Sequence, residues 1–182
     1  MKVVDNTIYK QLIPGNPGTS FVVALMYVLS KKYDIKLSNE DQLKLFTDGI
    51  VNSRKNFFGG ILVVIAEQFK KEIEIIIGDK FVYQRSIEET ANNLITIQND
   101  FIDVDKTERL LEKHKLITLS VDINLFLPYH DYHFVALEKV SDRYQVFEPK
   151  GGNVYDLPAI ELEKLVSSIR EGLNDTPMAF CI

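Results

Sequence analysis

"TSFVVALMYVLSKKY", residues 19 to 33, is apolar on nearly every side from Phe21 to Leu29. A surface helix keeps a polar face, so a segment without one must lie inside the protein with other elements covering it all round. Thr19 and Ser20 stand at its head, where hydroxyls can accept from exposed backbone N–H groups. The segment therefore predicts a buried central helix beginning at these two residues. A chain of 182 residues can build one substantial core around such a helix, and it is read as a single domain, 1–182.

The remaining pattern supplies the cover. Ser38 precedes "NEDQLKLFTDGI", in which Leu43 and Phe46 fall at helical spacing and Gly49 offers a stop, and "GGILVVIAEQFKK" (59–71) is a third helix. "EIEIIIG" (72–78) and "KFVYQR" (80–85) are β-branched and aromatic runs separated by Gly78-Asp79, which predicts a hairpin or two neighbouring strands. "SIEETANNL" and residues 105–114 read as short helices, and 116–122, 133–140 and 143–148 as strands. Residues 159–173 form an amphipathic helix with Pro158 near its first turn, and "TPMAFCI" is a closing strand. Helices lead, strands follow, and no regular βαβ alternation is visible. The expected class is α+β, a helical first half packed on an antiparallel sheet.

Several functions are disfavoured by composition. A net charge of -5 argues against a nucleic-acid partner, whose phosphates call for a basic face. Asp5 and Asn6 interrupt the apolar run that a secretory signal needs, and no segment approaches the roughly 18 consecutive apolar residues of a membrane span. The expected location is cytoplasmic. Cys181 is the only cysteine, which excludes an internal disulfide and a thiolate-built zinc cluster; in "PMAFCI" it reads as a small buried hydrophobe. No cofactor is expected.

The chemistry concentrates in "YHDYHFVALEKVSDRYQVFEPKGG", residues 129–152. A turn centred on Ser141-Asp142 pairs Val140 with Arg143, Leu137 with Val146 and Val135 with Glu148. His133 and Glu148 then become diagonal neighbours on one face, about 7–8 Å apart at Cα, a gap that polar side chains close. Such a pair is either an ion pair between strands or the base and orienter of a catalytic triad. A shared metal for His130 and His133 would require the segment before His133 to curl as a loop, since residues three apart point to opposite sides of a strand. No third nearby His or Cys would complete that site.

"HFVALEKVSDRYQVFEP" resembles the papain-like cysteine peptidases that process double-glycine leader peptides of bacteriocins, together with their stand-alone relatives. The resemblance covers nearly the whole chain. It makes His133 the counterpart of the family's catalytic histidine and puts Glu148-Pro149 where its Asp-Pro is found. The family's nucleophilic cysteine begins a buried helix, and aligning residues 19–33 on that helix puts Ser20 at the nucleophile position. The glutamine that serves the oxyanion stands about six residues earlier in the family, where this chain has Pro14. The resemblance thus leaves Gln11 and Asn16 as the amides for that role.

Two function classes follow from the resemblance. With cysteine natively at position 20, Ser20 being an introduced replacement, the chain would be a peptide hydrolase with His133 as base and Glu148 as orienter. With Ser20 native it would be a pseudopeptidase or a structural module, the former keeping a cleft that binds an extended peptide through backbone hydrogen bonds. A peptide or protein is the partner in either of the peptide-handling cases.

Overall fold

The computed structural model describes residues 2–6, 9–13, 17–52, 57–90, 92–173 and 175–182. Every residue from Phe21 to Leu29 is buried, as their uniform apolarity requires, because α1 (Pro17–Tyr33) lies between a β-sheet and a pair of further helices. The helix starts at Pro17, so Thr19 and Ser20 are its third and fourth residues and not its cap. Proline suits the first helical position: its fixed φ is helical and its missing N–H would have had no partner there.

Helix α2 (Asn39–Asn52) opens with a reciprocal cap. Ser38 donates to Asp41 Oδ2 from its backbone N at 2.6 Å and from its hydroxyl at 2.9 Å, while the hydroxyl accepts from the Asp41 N–H at 3.3 Å. Gly49 does not stop α2. It marks instead the crossing with α3 (Phe57–Phe69), where a Cβ would stand 2.3 Å from Ile61 Cγ1 and 3.2 Å from Ile61 Cα. Leu43 faces solvent, and Leu45 makes the buried contact in its place.

Eight strands are described: β1 (Lys2–Asn6), β2 (Ile73–Ile77), β3 (Ile95–Asn99), β4 (Leu116–Asp122), β5 (Tyr132–Val140), β6 (Arg143–Glu148), β7 (Asn153–Leu157) and β8 (Met178–Cys181). They form one sheet in the order β1-β7-β6-β5-β4-β8-β2-β3. The sheet is mixed and not antiparallel throughout, because β2 and β3 run parallel. Residues 80–85 correct the expected hairpin: they belong to α4 (Lys80–Glu89), the crossover helix that parallel strands require. Asp79 caps this helix by accepting from the Val82 N–H at 2.8 Å. The protein is thus α+β with a single βαβ unit at one end of the sheet among the described residues.

Two apolar clusters divide along the faces of the sheet. Phe134, Ala136, Phe147 and Phe180 meet α1 and its helical cover. Val135, Leu137, Val146 and Ala179 meet α5 (Val104–His114) and α6 (Leu162–Ser168) on the other side. Helix α6 lies in the expected 159–173 segment, entered by a 3-10 turn (Ala159–Glu161) and left by a π turn (Ile169–Leu173). Among the described residues, no helix is long and apolar enough to cross a membrane.

The crossing at Gly49 generates a prediction. Gly49→Ala forces Ile61 against its own backbone and should lower the unfolding free energy by about 1–3 kcal/mol, read as a lower urea midpoint. An unchanged midpoint would mean that α2 and α3 separate freely.

Candidate functional site

The β5–β6 hairpin turns at Ser141-Asp142, with Ser141 at φ 57 and Val140 paired to Arg143. Leu137 opposes Val146, so the alternation of side chains carries His133 and Glu148 to one face. His133 Nε2 lies 2.9 Å from Glu148 Oε1, and both residues are buried. Beyond Pro149 the chain folds back, so that Lys150 N–H donates to Oε1 at 2.5 Å and Gly151 N–H donates to Oε2 at 2.8 Å. Burial works against the Glu148 charge. The hydrogen bond and charge of His133, joined by the two backbone N–H groups, outweigh it and hold the carboxyl below its usual range. Among the described residues Glu148 is the one hydrogen-bond partner of the His133 ring.

Ser20 is fully buried, and its Oγ accepts from the Phe134 N–H at 3.3 Å. Phe134 follows His133 but points to the opposite face of the sheet, toward α1. His133 shares its face with Val135 and Leu137, which pack toward α5 and α6. Ser20 therefore meets β5 through the strand backbone, and it makes no hydrogen bond to the imidazole. The resemblance puts Ser20 at the start of the buried helix, whereas three residues of α1 precede it.

Gln11 is also buried and ties the same region together. Its backbone N–H donates to Pro149 O at 2.8 Å, while its Nε2 donates to Thr19 Oγ1 at 2.6 Å and to Ile13 O at 2.9 Å. The Thr19 hydroxyl in turn donates to Ile13 O at 2.8 Å. Thr19 was legible only as a helix cap, yet it is the hydroxyl that Gln11 reaches. Asn16 lies outside the described residues.

The two histidines of "HDYH" do not converge. His133 goes to Glu148, whereas His130 Nδ1 lies 2.5 Å from Asp122 Oδ2. Cys181 is buried in β8, where desolvation, reinforced by the Glu74 charge, pushes its thiol up to about 12. No protein-family model matches the chain, and no curated protein matches it.

Two predictions arise from this geometry. Glu148→Ala leaves the buried His133 ring and two partly buried N–H groups without their acceptor and should cost about 3–5 kcal/mol at neutral pH. The Glu148 pKa is lowered on folding, so its contribution is present above the ordinary value of about 4.5 and is lost as pH falls through and below it. The gap between wild type and Glu148→Ala in denaturant titrations should narrow accordingly toward pH 3. For Ser20→Cys, the enclosed position predicts slow labelling by thiol reagents under native conditions, equal to that of Cys181. Mass spectrometry before and after unfolding checks it, and labelling of position 20 faster than a free cysteine would show an accessible, activated thiol.

Proposed function

We propose that the chain is a papain-like peptidase-type domain that holds an extended peptide and does not cleave it at Ser20. The observation that carries the reading is a contrast within one region. His133 and Glu148, at the strand positions of the resemblance, form a buried pair joined through His133 Nε2, whereas the Ser20 hydroxyl is enclosed and accepts from the Phe134 N–H. A serine nucleophile needs its proton removed by an imidazole within hydrogen-bond reach, and it needs access to a carbonyl carbon. Among the described residues neither is available to Ser20. A peptidase-type domain can bind extended chains through backbone groups independently of any nucleophile. The α+β architecture, with a buried helix laid across β5 and β6, supports the same reading.

A synthetic extended peptide ending in Gly-Gly tests it. Added to isotope-labelled protein, the peptide should move the amide resonances of Gln11, His133 and Gly151 while mass spectrometry finds it intact. Cleavage that disappears in Ser20→Ala would restore the enzyme reading. Resonances that stay in place at the highest peptide concentration would remove the peptide-binding one.

A further inference from the structure

The chain holds a second carboxylate–imidazole pair that the reading above does not use. Asp122 ends β4 with its side chain buried, and its Oδ1 accepts from the Asn124 N–H at 3.0 Å and from the Asp131 N–H at 3.2 Å. Its Oδ2 takes His130 Nδ1 at 2.5 Å. An ionised carboxylate only accepts, so the neutral ring carries its proton on Nδ1 and presents a lone pair at Nε2. Asp122 is the ring's one hydrogen-bond partner among the described residues, and the His130 side chain is 58% exposed.

The chain's other two histidines differ in this respect: His114 Nε2 lies 2.8 Å from Glu74 Oε2 and His133 Nε2 lies 2.9 Å from Glu148 Oε1. The π turn after α6 packs against the Asp122–His130 pair. A Cβ on Gly172 would stand 1.9 Å from Asp122 Oδ2 and 3.3 Å from His130 Nδ1, so only a residue without a side chain lets the turn close there. Between turn and dyad lies a hollow of about 210 Å³, lined by His130, Asn124, Lys164 and Glu171. This is below the range of about 300–1,000 Å³ typical of drug-sized ligands and suits a small molecule. An imidazole held at Nδ1 by a buried carboxylate, with Nε2 bare, offers proton transfer as its chemistry.

We propose that His130 is the general base of a small hydrolytic site whose substrate is a short-chain carboxylic ester. A water in the hollow gives a proton to His130 Nε2 as its oxygen bonds to the ester carbonyl carbon, and the carbonyl π electrons pass to oxygen. Lys164, a residue of the hollow's lining, supplies the positive charge that stabilises the resulting oxyanion. Collapse of the tetrahedral intermediate breaks the ester C–O bond, and the departing oxygen takes the proton back from Nε2. Asp122 stays ionised throughout and holds Nδ1–H, so it acts as a positioning residue.

The test is hydrolysis of p-nitrophenyl acetate by the full chain at neutral pH. The rate should exceed that of an equal concentration of imidazole by about 100-fold, the lower range for a positioned general base. His130→Ala should return it to background, Asp122→Asn should lower it at least tenfold, and His114→Ala should leave it unchanged. A wild-type rate no greater than that of imidazole, or full activity in His130→Ala or Asp122→Asn, overturns the proposal. Nitrogen-15 shifts of the wild-type His130 ring give a reading independent of variant folding: a proton on Nδ1 with bare Nε2 is expected, and the opposite tautomer overturns the assignment.

Discussion

Phe21 is wedged between three other rings, with centroids 4.7 Å from Phe134, 4.7 Å from Phe180 and 5.1 Å from Phe58. These contacts fasten α1 to β5, β8 and α3 at once, each worth about 0.5–1.5 kcal/mol beyond the area it buries. Further along the helix, Tyr27 stacks on Phe147 of β6 at 4.2 Å and 12°. The helix is held at two points and cannot rotate about its axis. The rings it grips on the hairpin, Phe134 and Phe147, are the immediate chain neighbours of His133 and Glu148. By gripping one face of β5 and β6, α1 fixes the spacing of the pair on the other face, and it also directs Ser20 onto the strand backbone.

The His133–Glu148 and His130–Asp122 pairs share one device. In each, a buried carboxylate accepts from two backbone N–H groups of a following turn or loop and gives the remaining capacity to an imidazole. The N–H groups hold the anion in place without adding a counter-charge. The outcomes differ because His133 is enclosed by the sheet and its covering elements, whereas His130 sits on a loop beside a hollow.

Legibility in the sequence followed how local the determinant is. The hairpin register could be counted because a two-residue turn fixes it and strict alternation propagates it, so the diagonal placement of His133 and Glu148 was readable. The interior of α1 was readable from its uniform apolarity, but its start was not: Thr19-Ser20 imitates a cap, while the Pro17 signal precedes it. Gly78-Asp79 misled for a related reason, since a turn and a helix cap use the same residues. Strands β3 and β7 carry no clear period-2 signal because they are partly exposed and their alternation is weak, and Lys2, Val3 and Val4 of β1 are exposed. The burial of Ser20 depends on which sheet face α1 covers, and Asp122 reaches His130 across an intervening turn and loop. Neither relation is carried by a local pattern.

Strand β8 lies between β4 and β2, although it is the last of the eight in chain order. Without it the sheet is two separate pieces: β1, β7, β6, β5 and β4 on one side, and the parallel β2–β3 pair on the other. On the ribosome the two pieces can form as they emerge, but each keeps an unpaired edge until residues 178–181 leave the exit tunnel and join them. Both exposed edges are apolar, β4 through Leu119 and Val121 and β2 through Ile75 and Ile76, so the interval before β8 arrives is when the nascent chain is most open to strand pairing with a neighbour.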